Sequence, residues 1–239
     1  MINAQQSRVF AGGLNYSGYA TKAQFDDPLE MFDVTTLLDS AKKFIPGRES
    51  PTMSLDLLLD TDTTTGAQWS NLTSWKSSTA QPVTWCPQGV AVGSIGQMAA
   101  GLEASFSSMT QPNAAVKASL AVTCDGPSDF GTVLESGLTA VTTTGNGTAR
   151  DGGAASSNGG VAHIHSTAFS GLTNDIVTIE HSVDGATSWA TLVTFATITA
   201  VGGERVVVAP ATTVRRYLRV VDTVTGTGSI SRTVTFARR

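Results

Sequence analysis

The strongest constraint on the fold lies between Thr52 and Leu59, where Met53, Leu55, Leu57 and Leu59 alternate with Thr52, Ser54 and Asp56. Successive side chains leave a pleated backbone on opposite sides, so this period of two marks a strand with one face in a core and the other in solvent. A helix would scatter the same leucines around its circumference. Upstream, Phe32, Val34, Thr36 and Leu38 alternate less cleanly with Asp33, Thr35 and Leu37, and the β-branched residues there favour a second strand. Between the two, Phe44-Ile45-Pro46-Gly47 fits a type II turn, since proline presets the first central dihedral and glycine accepts the positive one. A Phe-Ile pair in a loop is unfavourable unless another surface covers it.

The same period recurs along the first half. Val116, Ala118, Leu120, Val122 and Cys124 alternate with Lys117, Ser119, Ala121, Thr123 and Asp125. Strand character also marks Val9-Phe10 and Leu14 to Tyr16, interrupted by Gly12-Gly13, and Val83 to Val92, bent by Pro87 and Gly89. Thr65 with Gln68 makes a capping box, so one short helix is expected from Gly66 to Ser77, burying Trp69 and Leu72. Ile95, Met98, Leu102 and Phe106 fall at near-helical spacing, but Gly93, Gly96 and Gly101 oppose a helix there.

Around Glu135-Ser136-Gly137 the texture changes, and we divide the chain into residues 1–137 and 138–239. The first part carries 7 basic and 13 acidic residues, the second 8 arginines and 6 acids. Thr142 to Gly160 reads as a linker or a thin edge strand. Short strands follow at Val161 to Phe169, Ile176 to Val183, Ala190 to Thr197, Glu204 to Ala209, Arg216 to Asp222 and Ser229 to Ala237, with a hairpin turn at Asp184-Gly185. The fold class is therefore all-β: a sandwich or tube-forming domain with one short helix, followed by a second, jelly-roll-like β-sandwich. Charged residues make up only 14% of the chain, which disfavours a basic nucleic-acid module and suits neutral surfaces that associate.

Catalytic and metal signatures are lacking. Cys86 and Cys124 are too few for a disulfide framework and read as core thiols. His163 and His165 share one strand face, and with His181 three imidazoles could bind zinc. The favoured reading makes Val161, His163, His165 and Thr167 a solvent or interface face, with no metal and no cofactor. Asp60, Asp62 and Thr64 begin like a calcium loop, but Thr65 replaces the glycine and Asn71 the glutamate. No phosphate-binding loop or nucleophile elbow is present, and the chain is not expected to be an enzyme. Arg215, Arg216 and Arg219 form a small basic cluster, either a solvated strand face or a contact for an acidic partner. Met1 to Phe10 lacks the apolar core of a signal peptide, no run reaches membrane-spanning length, and synthesis in a cytoplasm is expected.

The run Thr35-Thr36, Asp39, Lys43-Phe44-Ile45-Pro46-Gly47 with the strand from Thr52 to Leu59 resembles the major tail (tail tube) proteins of long-tailed bacteriophages. Pro82-Val83-Thr84-Trp85 to Ser128-Asp129-Phe130-Gly131 looks like the remainder of that domain. The second half is similar to the carbohydrate-module-like sandwiches appended to some phage structural proteins. The resemblance implies a virion structural protein made in the host cytoplasm, a homo-oligomer of stacked hexameric rings forming the tail tube. Its partners would be itself and other tail proteins, with DNA as transient cargo in the lumen, a host-surface glycan as a possible ligand of the second sandwich, and no membrane. It also implies a loop before a strand from Glu103 to Met109, and an inter-subunit loop comprising Lys42, Lys43, Phe44, Ile45, Pro46 and Gly47. The alternative is a head decoration protein or a receptor- or glycan-binding virion protein. Against it, the aromatics of the second half, Phe169, Trp189, Phe195, Tyr217 and Phe236, sit mostly at core-type positions.

Overall fold

The computed structural model describes residues 4–59, 75–76, 80–110, 112 and 115–239, and they are nearly all β. In the first half the strands are β1 (Arg8–Ala11), β2 (Leu14–Asn15), β3 (Ala20–Asp26), β4 (Leu29–Asp33), β5 (Phe44–Glu49), β6 (Thr52–Leu58), β7 (Gln81–Cys86), β8 (Ile95–Met109), β9 (Lys117–Cys124) and β10 (Asp129–Glu135). The second half adds β11 (Gly145–Asn146), β12 (Arg150–Asp151), β13 (Gly160–Ser182), β14 (Ala190–Thr194), β15 (Gly202–Val208) and β16 (Tyr217–Arg238). The expected helix from Gly66 to Ser77, with its capping box, lies outside the described residues except for Trp75 and Lys76.

The strand at Thr52 follows its period. Met53, Leu55 and Leu57 are buried, whereas Ser54, Asp56 and Leu58 are exposed. β9 does the same with Ala118, Leu120 and Val122. These rows face Val9, Ala11, Tyr16, Trp75 and Val83 to form the core of the first sandwich. One sheet of that sandwich runs β3-β6-β9-β8 and the other β10-β8-β7-β1-β2. β8 belongs to both, pairing with β10 and β7 through Ile95 to Gly101 and with β9 from Gly101 onward. The stretch before Glu103 is thus strand, not loop. Its glycines serve close approach: a Cβ on Gly101 would lie 2.6 Å from a Val122 methyl and 2.7 Å from one of Val83.

In the second half, six expected strands are four. Val161 to Phe169 and Ile176 to Val183 are one strand, β13, and Arg216 to Asp222 joins Ser229 to Ala237 in β16. β13 and β16 pair antiparallel from Gly160↔Arg238 to Ser182↔Tyr217, with register shifts near Ser166, Ser170 and Leu172. Bulges bend a ribbon without ending it. The polar tracts at 170–175 and 223–228, which read as connections, lie opposite one another where these shifts occur. The bent ribbon supplies strands to both layers, with β15 on one arm, β14 on the other, and β11 and β12 along β16. Residues 142–160 thus include two short edge strands. Ile164, Val177, Ile179, Val193, Phe195, Leu218, Val220, Val234 and Phe236 fill the space between the layers.

The halves are joined through backbone. β10 pairs with β16 through Thr132↔Phe236 and Val133↔Thr235, so hydrogen bonding runs continuously across the boundary expected at residue 137. At this seam the face of β16 opposite Val234 and Phe236 is also buried, Thr233 at 2% and Thr235 at 0% exposure.

Candidate functional site: an open sheet and an apolar hairpin

The residues expected to contact a second subunit lie on a hairpin of their own. β4 and β5 form a separate two-stranded sheet with Met31↔Pro46, Phe32↔Ile45 and Asp33↔Phe44 in register. Phe44 to Gly47 is therefore strand and not a type II turn, and the upstream strand ends at Asp33. The turn lies in residues 34–43, which carry the polar groups that can bend a chain. Asp33 Oδ1 accepts from the Thr35 N–H at 2.9 Å, and Asp39 Oδ2 accepts from the Thr36 N–H at 2.8 Å and its hydroxyl at 2.9 Å. Thr35 Oγ1 accepts from the Lys43 N–H, and the Lys43 ammonium pairs with Asp39. These bonds stabilise both carboxylates, whose pKa values fall below the ordinary range, Asp33 through Thr35 and Asp39 first through Lys43. Gly47 serves a purpose other than a turn: a Cβ there would stand 2.6 Å from the Phe32 ring.

This well-tied hairpin exposes apolar side chains. Leu37 and Leu38 are fully exposed, and Leu29, Met31, Phe32, Phe44 and Ile45 are about half exposed. Sequence reasoning found Phe44 and Ile45 but assigned Leu38 to a strand face. Single exposed apolar residues are common, but a contiguous set on one projecting element is characteristic of an interface.

The second feature is the sheet β3-β6-β9-β8. Among the described residues β3 has β6 as its one strand neighbour, and β8 from Glu103 to Met109 has β9 as its one strand neighbour. The register aligns Gln24, Ser54, Ala121 and Ser105 in one row across its outer face, and Lys22, Asp56, Ser119 and Ser107 in the next. The Ser119 hydroxyl donates to Asp56 at 2.9 Å. Hydroxyls and small side chains are the commonest groups on this face, which also exposes Leu58, Leu102 and Met109; its charges are Asp26 and Asp56 against Lys22 and Lys117. The acidic excess of the first half is carried elsewhere.

The basic cluster does not form an open patch. Arg216 makes a two-pronged bond to Asp151 at 2.6 and 2.8 Å, which holds that carboxyl well below its usual range. Arg219 pairs with Glu180 at 2.7 Å and lies 4.2 Å from the Trp189 ring centroid, and the Arg215 guanidinium donates to the Ser188 carbonyl. Nor do the three histidines converge. Of the expected solvent or interface face, His163 and His165 are not in solvent but fully buried at the seam, while His181 accepts from the Arg215 N–H near the far end of β13. No cluster of metal-ligating side chains occurs among the described residues.

No family model matches the chain, and no curated protein does. Among solved structures it is similar to a chain of the virion of a native gene transfer agent particle, with TM-score 0.43 and 11% identity over 54% of this chain and 98% of that one. A second is the tube-terminating cap of the anti-feeding prophage, TM-score 0.43 and 13% identity over 55% of this chain and 91% of that one. The SPP1 Dit (gp 19.1) protein is similar at TM-score 0.38 and 12% identity over 97% of this chain and 98% of that one.

Proposed function

We propose that this chain is a non-enzymatic structural subunit of a bacteriophage tail, one that joins copies of itself side by side into a ring, with stacked rings forming a tube that conducts DNA. The observation that carries the reading is the sheet β3-β6-β9-β8, whose outer strands have no further strand neighbour among the described residues. Unpaired strand edges promote association unless something pairs or covers them, and a closed barrel removes them. Each neighbour in this sheet is antiparallel, so β3 and β8 run in opposite directions. Rotated copies can therefore set β3 of one beside residues 103–109 of the next and keep the alternation unbroken. The face such a barrel turns inward is rich in hydroxyls, balanced in charge and free of arginine, which lets a polyphosphate slide because it offers few fixed cations to hold phosphates. The hairpin of β4 and β5, with Lys42 to Gly47 on one arm, supplies the contact along the tube.

The alternative, a head-decoration or glycan-binding role, gains less support. The Trp189 face that a sugar would need is occupied by Arg219, and Arg215, Arg216 and Arg219 are engaged within the chain. Electron microscopy and mass photometry of the purified protein distinguish the two. Rings or tubes are expected; a monomer at all concentrations, with glycan-array binding, would reject the tube.

A further inference from the structure

The two buried histidines have no part in the proposed tube, yet they occupy the seam between the halves. His163 and His165 project from β13 onto β7 of the first half, and both rings meet one hydroxyl. Thr84 Oγ1 lies 3.0 Å from His163 Nδ1 and 2.8 Å from His165 Nε2. A hydroxyl carries a single hydrogen, so at most one imidazole accepts from Thr84 and at least one donates to it. The arrangement suits two neutral rings. His165 Nδ1 is buried with no hydrogen-bond partner among the described residues. The face of His165 is stacked on Phe10 of β1, with centroids 5.5 Å apart.

The groups facing the pair decide what a further proton would meet. From β7 come Thr84 and the Val83 backbone, and the latter is the only influence that favours a charged His163. Across β16 stand Thr235 and Thr233, and across β15 Arg205 and Gly203. Arg205 is a cation, and the carboxylate nearest to it, Asp129, is held by Arg239 at 2.7 Å and lies 3.7 Å from Arg205. Among the described residues, no carboxylate acts on either ring to balance an imidazolium. Charging either ring therefore requires that the seam open to water.

We propose that this seam is a proton-gated joint: His163 and His165 keep the second half docked while neutral and release it from the first half when acidification protonates them. Burial, and for His163 also its partner imidazole and Arg205, lowers both pKa values, His165 to about 3. An opened seam returns both rings to the ordinary value of 6.5. The open form thus binds protons first. Docking is at full strength above that value and weakens as pH falls below it.

The test uses the full chain and hydrogen exchange read by mass spectrometry, corrected for intrinsic rates, in peptides spanning 81–86 and 160–166. Below about pH 6.5, seam protection should fall roughly tenfold per pH unit for each proton taken up. Core peptides spanning 52–58 and 117–123 should change far less. Protection at the seam that is equal at about pH 7.5 and about pH 5 in a Glu135→Gln chain, which lacks the opposing carboxylate, overturns the proposal by itself. Replacing both histidines, His163→Gln and His165→Gln, should flatten the pH response, and either single replacement should reduce its slope; an unchanged slope in a folded variant also overturns it. The Arg232 carboxylate cluster at the seam responds to pH with the opposite sign and cannot imitate the result.

Discussion

Arg232 is the side chain whose surroundings ask most of it. It is 1% exposed and meets Asp175 at 2.6 Å, Asp222 at 2.5 Å and Glu135 at 3.1 Å. One cation cannot neutralise three carboxylates. Burial pushes the Glu135 pKa up to about 7 against the pull of Arg232, with the two aspartates adding to the rise. The folded chain then keeps a proton that the unfolded chain sheds above 4.5, so this contribution to stability declines as pH rises from there through about 7. Urea melts at about pH 5 and about pH 8, run in the His163→Gln, His165→Gln chain so that the opposite dependence of the two imidazoles drops out, should show that decline, and adding Glu135→Gln should remove it. Replacing Arg232 with leucine leaves buried carboxylates without a cation and should lose roughly 3–5 kcal/mol near neutral pH, read from the same melts. None of this was legible in the sequence. Arg232 shares by period two the face of Ile230, Val234 and Phe236, and nothing local to that run announces the carboxylates from β10, β13 and its own strand that meet it there. His163 and His165 were given to a solvent or interface face without a choice between the two, because period two locates two faces but not what covers the second one.

At the scale of elements, β6 and β9 were readable because each has one wet face, and wet faces carry the polar residues that make alternation visible. β8 was not, because Ile95 to Gly101 runs between two neighbours with glycines where side chains would collide. The hairpin was partly readable. Phe44 and Ile45 stood out as apolar residues needing cover, but Pro46-Gly47 was taken as turn chemistry when Gly47 makes room for the Phe32 ring. Since Phe44 and Ile45 are already about half buried, covering what remains would contribute on the order of 2 kcal/mol per contact, and the fully exposed Leu37 and Leu38 as much again or more. Phe44→Ser with Ile45→Ser, or Leu37→Ser with Leu38→Ser, should leave the thermal midpoint of unassembled protein within a few degrees of wild type and abolish tubes in electron micrographs. A variant that still assembles would free the hairpin from this role; one that melts much earlier would place its side chains in the core of the subunit.

At the scale of the whole molecule, composition suggested a division near residue 137 but could not reveal how the two parts are joined. The texture changes at Ser136, in a polar tract after β10, yet β10 pairs with the last strand of the chain. A contact of such sequence separation leaves no local trace. We propose that residues 138–239 nevertheless fold alone, because the cluster between the arms of β13 and β16 draws nearly all its side chains from this half, with Leu134 the exception. The isolated fragment would leave Thr233 and Thr235 without their cover and free the edge of β16. It would also place Asp175, Asp222 and Arg232 together without Glu135. The expected outcome is a cooperative melt at a lower temperature than the full chain, with dispersed amide resonances and slow exchange at Ile179 and Val220. Because His163 and His165 would then face water, their imidazoles should titrate in the fragment near the ordinary value of 6.5, while in the full chain they should stay neutral until the seam opens. A disordered fragment would mean that the two halves fold as one unit, with the β10–β16 pairing as part of what nucleates the second sandwich.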